Sequence, residues 1–312
     1  MRPAFSVILL TTLIGAGQGL LLALYAVELG ARFDVLAPAA PVFFIGGSAL
    51  ALALAAAGLV ASFFHLGRPE RAWRSAAMWR TSWLAREVIA LPAFMAAVLA
   101  YGAAHYLGLA ASGWIGAVAA VLCLGLFVCT GMIYACLKFL QEWHTALTPI
   151  NFFLLGTASG LTLAAAFAAY TAPPLVELLG VAAAAAATLA LATRAAALAR
   201  NARIRPTSSL QTAIGIKHPR IAQKSQGLMG GSFNTREFFH GARLHSVRAV
   251  KWVFLLLAFP LPVLLVITGI AQSASALLVL AFGVQYLGLL AERWFFFAQA
   301  RHPQNLYYQV VS

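Results

Sequence analysis

The sequence predicts an all-α integral membrane protein, a single bundle of eight transmembrane helices. Three observations predict it. First, 62% of the 312 residues are hydrophobic and only 9% are charged, where a soluble domain carries about 25% charged residues. So few charges cannot coat a water-facing surface. A bilayer solvates such a chain, because a helix of about 20 apolar residues crosses the hydrocarbon and satisfies its own backbone. Second, the apolar residues gather into runs of spanning length, and the mean hydropathy is +0.87. Third, the positive charge falls almost wholly on one side of those runs.

The runs lie near residues 5–27, 42–64, 87–107, 113–137, 150–171, 174–193, 250–271 and 275–298. The first follows Met1 and Arg2 but reaches Val27, too long for the core of a simple signal peptide, so it reads as a span. Pro38 and Pro41, Ser112-Gly113, Thr148-Pro149 and Pro173-Pro174 supply turns at the junctions. Short connections make antiparallel neighbours, which gives a bundle, read here as two packed groups of four. Pro260 and Pro262 predict a kink in the seventh span, which buried neighbours tolerate.

One connection, 194–249, is long, polar and basic. Connections of that length are usually functional or disordered. Its stretch from Gly227 to His240 mixes turn residues with Phe233, Phe238 and Phe239, a composition that argues against plain disorder. It reads as a docking surface; the plainer reading is a solvated loop folded on its own bundle.

Numbering the connections alternately puts 20 of the 21 Lys and Arg on one side and only Arg32 on the other. The 65–86 connection alone holds Arg68, Arg71, Arg74, Arg80 and Arg86. The positive-inside rule then predicts cytoplasmic termini and a cytoplasmic long loop. The net charge of +13 is therefore topology signal rather than a nucleic-acid footprint.

Few side chains can carry chemistry. Cys123, Cys129 and Cys136 share the fourth span without a Cys-x-x-Cys pair, so no iron–sulfur cluster is expected in this chain. They read as small hydrophobes. No histidine sits mid-span, which argues against a haem held between helices, and no standard metal-ligand spacing occurs. Among the acids, Glu292 lies beside Arg293 near a helix end and reads as half of an ion pair. Glu87 begins the third span while His65 ends the second, so both lie at the basic boundary of one hairpin. An imidazole donates to a carbonyl and a carboxylate relays a proton, the two services a quinone needs. The plainer reading is an interfacial polar pair with no substrate. Ionisable groups at such positions usually face an interior or a cavity.

The run Phe64-His65-Leu66-Gly67-Arg68-Pro69-Glu70-Arg71-Ala72-Trp73, continued by Ser82-Trp83-Leu84-Ala85-Arg86-Glu87, resembles the membrane anchor subunits of dimethyl sulfoxide reductase. The match is good over 60–90 and loose over the rest, including Glu292-Arg293. The resemblance implies a haem-free, quinone-binding anchor in a bacterial cytoplasmic membrane. It would hold an iron–sulfur subunit with [4Fe–4S] clusters and a molybdopterin catalytic subunit. It also implies that His65 and Glu87 belong to the quinone site, with Arg71 close by. The partner would dock on both basic connections, through Arg68, Arg74, Phe233, Arg236, Phe238 and Phe239.

Two departures matter. The 194–249 connection is longer than in that family, and its Gly-Gly-Ser-Phe-Asn-Thr-Arg-Glu-Phe-Phe-His-Gly run is similar to anchors of cytoplasmic sulfite dehydrogenases. The predicted sidedness agrees, because the His-Leu-Gly side faces inward. The expectation is a sulfite:quinone oxidoreductase anchor. A dimethyl sulfoxide reductase anchor oxidising menaquinol is the alternative. A transporter is the alternative from another class; it favours polar groups at mid-membrane, and no span centre here is charged.

Overall fold

The computed structural model describes residues 3–221 and 244–303. Among these residues there is no strand, and eight helical segments are long and apolar enough to cross a membrane. Six spans are continuous helices: α1 (Phe5–Arg32), α2 (Pro41–Phe63), α3 (Trp83–Tyr106), α4 (Ser112–Ala135), α5 (Leu147–Thr171) and α6 (Val176–Ala202). A short helix, α7 (Leu210–Ile214), follows on the polar connection. The seventh span is two helices, α8 (Leu244–Ala258) and α9 (Pro260–Ala271), and α10 (Ser275–Ala298) is the eighth.

Local chemistry sets the ends. Pro41 opens α2, where its missing N–H is one the helix would leave unpaired anyway. The Ser82 hydroxyl accepts a bond from the Ala85 N–H at 3.3 Å and so caps α3. Gly108 takes φ +64°, the left-handed turn that reverses the chain between α3 and α4. In the seventh span Phe259 leaves helical geometry at φ −125° and ψ −80° immediately before Pro260, so the expected kink is a break between α8 and α9.

The spans sort into two groups, α1–α4 and α5, α6 with α8–α10. The groups meet where α1 lies along α5. There the backbones touch: a Cβ on Gly160 would lie 2.1 Å from the carbonyl carbon of Gly19, and one on Gly19 only 2.2 Å from the carbonyl oxygen of Gly156. Lipid tails are as apolar as leucine, so membrane helices associate through close packing at small residues rather than by escaping water. Gly15-x-x-x-Gly19 on α1 and Gly156-x-x-x-Gly160 on α5 supply that closeness.

Three helices run past the apolar stretches that mark them in the sequence. α1 continues to Arg32, α3 starts at Trp83, and α6 runs to Ala202. Residues 194–202 are rich in alanine, the best helix former, which carries α6 onward. As a result Glu28, Glu87 and Arg194 lie within helices, and Arg194 is buried rather than part of the basic connection.

Candidate functional site

The basic connections cluster at one end of the bundle, called here the basic face. His65 lies two residues past the end of α2, with its backbone N–H bonded to the Ser62 carbonyl. Its ring is exposed, and among the described residues it makes no hydrogen bond or ion pair. The protein on its other side desolvates it enough to lower its pKa, which favours the neutral imidazole.

A 3-10 helix, Pro69–Met78, then runs along the basic face. Arg71 points outward, its Nε 3.8 Å from the Glu70 carboxylate. Arg74 stacks over Trp73 at 5.5 Å, Arg80 over Trp79 at 5.4 Å, and Arg86 over Trp83 at 4.2 Å. Arg86 also donates to the carbonyls of Trp79 and Arg80 and so ties this segment to α3. Arg68 is exposed at the segment's start. The other docking residues expected from the sequence, Phe233, Arg236, Phe238 and Phe239, lie outside the described residues.

Glu87 sits one turn into α3 and is half-buried. The Thr130 hydroxyl of α4 donates to its Oε1. Behind it lies a cavity of about 20 Å³ lined by Thr11 and Gln18 of α1, Thr130 of α4, Ser159 of α5 and Arg293 of α10. That volume holds about one water. It cannot admit a quinone ring, since ligand pockets run to about 300 Å³ or more. The outer surface near Glu87 is different: Val60, Phe63 and Phe64 at the end of α2 and Leu84 and Ile89 on α3 are exposed apolar side chains. No contact joins His65, Arg71 and Glu87 directly; the α2–α3 hairpin carries all three to one end of the bundle.

Two buried polar clusters go beyond what the sequence signals. The first is at the same end. Glu292 is 0% exposed, Arg194 2% and Arg293 4%. Arg194 Nε lies 2.7 Å from Glu292 Oε1, and Arg293 Nη1 lies 3.5 Å from Glu292 Oε2. The Arg293 guanidinium also covers the Phe152 ring at 3.6 Å. The expected Glu292–Arg293 pair is therefore a triad whose tighter bond goes from α10 to Arg194 on α6. The second cluster is at the opposite end. Glu28 accepts bonds from Arg32 at 2.9 Å and Ser112 at 2.6 Å, and lies 3.5 Å from His105 Nε2. The His105 ring stacks on Phe44 at 4.3 Å and meets Tyr101 edge-on at 4.7 Å.

Eight apolar spans, a basic end paved with stacked arginines, and a half-buried acid beside a lipid-facing hairpin define a multi-pass membrane anchor. The DMSO reductase anchor subunit (DmsC) family model matches residues 3–298. The chain belongs to that family. It is also 54% identical, over 325 aligned positions covering the whole of both chains, to a sulfite dehydrogenase subunit from Allochromatium vinosum.

Proposed function

We propose that this chain is the membrane anchor of a sulfite-oxidising complex and passes electrons from an iron–sulfur partner to membrane quinone. Full-length identity of 54% to a sulfite dehydrogenase subunit supports the substrate. Family membership supports the anchor role and leaves the transporter reading without support. Molybdopterin and the [4Fe–4S] clusters belong to partner chains in this reading. The basic face would be cytoplasmic, in a bacterial inner membrane, because charge this lopsided orients helices positive-inside.

The chemistry balances as two half-reactions. Sulfite and water give sulfate, two protons and two electrons on the partner chains. Quinone takes two electrons and two protons to give quinol at the anchor. Here His65 donates a hydrogen bond to a quinone carbonyl and stabilises the charge that reduction adds. Glu87 supplies protons, and Arg71 adds positive potential nearby. The observation that carries the reading is the setting of Glu87. Among the described residues it has one hydrogen-bond partner, a water-sized cavity behind it, and an exposed apolar hairpin in front that a lipid-dissolved quinone can reach. The stacked arginines, Arg74, Arg80 and Arg86, with Arg68, present a basic surface for an acidic partner and steer its approach.

Replacing His65 with alanine in the assembled complex tests this. Sulfite-dependent quinone reduction is expected to be lost, while sulfite oxidation with a water-soluble artificial acceptor stays at the wild-type rate. Quinone reduction at the wild-type rate would move the site elsewhere. A complex that oxidises quinol with dimethyl sulfoxide but leaves sulfite untouched would replace the direction as well.

A further inference from the structure

We propose that Glu87 is reprotonated from the basic face through a file of polar cavities whose inner doorway is Arg293. The proposal rests on the quinone reading above and adds the route by which protons arrive.

Three cavities share their walls. A cleft of about 470 Å³ opens on the basic face and is lined by Gln141, Glu142, Asn201, Lys251, Gln299 and Arg301, among others. Glu142, Asn201 and Gln299 also line a second cavity of about 10 Å³, which continues inward to Thr148, Asn151, Arg194, Glu292 and Arg293. Arg293 then forms part of the wall of the cavity of about 20 Å³ behind Glu87. The inner two volumes are near the size of single waters, and each has several polar groups to hold one.

Unused hydrogen-bonding capacity marks the same route. Arg194 Nη2 and Gln299 Nε2 are buried without a hydrogen-bond partner. Buried polar atoms left in this state are ordinarily satisfied by water. Glu292 is clamped between two guanidiniums, so it anchors water rather than carrying protons itself. The carriers are Glu142 at the mouth, the waters, and Glu87 at the inner end. In each transfer Glu87 gives its proton to a quinone oxygen and regains one from the adjacent water, and solvent refills the file at Glu142. Arg293 is a positioning residue: it holds water between the second and third cavities and stays charged throughout.

Among the described residues the groups facing Glu87 are few. Thr130 donates to it, Cys129 and Tyr134 of the same helix lie within its electrostatic reach, Arg293 approaches from α10, and Arg86 precedes it on α3. On the opposite side, the buried face of α3 continues through Leu91, Phe94 and Val98, three apolar turns without a proton carrier.

The test uses the whole complex reconstituted in liposomes, with sulfite and a short-chain quinone. Gln299→Leu blocks the first shared wall, and Glu142→Gln removes the carboxylate there without changing its shape. Both are expected to lower quinone-reduction kcat about tenfold, less than the roughly hundredfold or more that a positioned proton donor itself contributes, because they slow only its resupply. The quinone KM and the artificial-acceptor rate should hold. The loss should grow with rising pH, and the solvent deuterium isotope effect on kcat should increase. Wild-type kcat and isotope effect in both variants would overturn the route. Glu87→Gln separates the two readings. If it slows quinone reduction while the route variants do not, only the route fails. If it too has no effect, the quinone site itself is misplaced.

Discussion

Two carboxylates stand at opposite ends of this bundle, and their surroundings differ in kind. Glu28 is enclosed by Arg32, Ser112, Tyr101 and His105, drawn from α1, α3 and α4, with the Phe44 ring closing over the imidazole. Among the described residues Glu87 has Thr130 as its one hydrogen-bond partner, with a cavity behind and a half-open front. Both touch the same face of α3, since residues 87, 91, 94, 98, 101 and 105 recur at helical spacing. A carboxylate held by a guanidinium, a hydroxyl and a nearby imidazole from three helices would loosen those contacts by accepting a proton, so it holds helices together. One with a single partner and a neighbouring water site can change protonation without tearing the fold. Glu28 is buried and Glu87 only half-buried, and the two differ as well in the number and charge of their partners.

The comparison can be broken at either end. The largest effect is expected at the open end: Glu87→Gln should slow sulfite-dependent quinone reduction about a hundredfold and flatten its pH dependence, while the detergent-solubilised complex keeps its unfolding midpoint. The closed end should behave in the opposite sense. Glu28→Gln keeps the shape but weakens charge-assisted bonds to several partners at once, at a cost of about 2–3 kcal/mol. That should lower the unfolding midpoint and leave quinone kcat where it was. A slowed kcat with unchanged stability in Glu28→Gln would erase the distinction. Removing one bond at a time sharpens it. Ser112→Ala should cost about 1 kcal/mol, and Thr130→Val should shift the pH profile of turnover while barely moving the midpoint. The smallest effect concerns His65. Its lowered pKa keeps the imidazole neutral to pH values below its ordinary value of about 6.5. Quinone KM should therefore hold constant down to that pH and change only below it, which a KM-versus-pH series measures.

The eight spans and the basic face are readable from the sequence because each rests on runs of like residues, and a run survives errors of several positions. The His65–Glu87 hairpin is readable because its two polar residues interrupt the ends of adjacent apolar runs. The closed cluster is not. Glu28, His105 and Ser112 each stand at a helix end, where a polar residue is unremarkable by itself, and only the packing of α1, α3 and α4 brings them together. Arg194 misleads for the opposite reason. It begins a stretch rich in basic residues and so reads as part of the loop, although the alanines after it carry α6 on to Ala202. The α1–α5 seam is visible in principle. Two Gly-x-x-x-Gly pairs lie on the first and fifth spans, but nothing in one dimension says that they face each other.

That seam has a consequence for how the protein is made. α1 leaves the ribosome before α5, yet its glycine face is completed only by α5, about 140 residues later along the chain by the positions of Gly19 and Gly156. Until then α1 must reside in the bilayer with only α2 to α4 beside it, its narrowest surface bare to lipid. The assembled protein therefore records an order of synthesis reversed in space: a helix inserted before the others described is the one finally enclosed, and the later spans are the lid that closes over it.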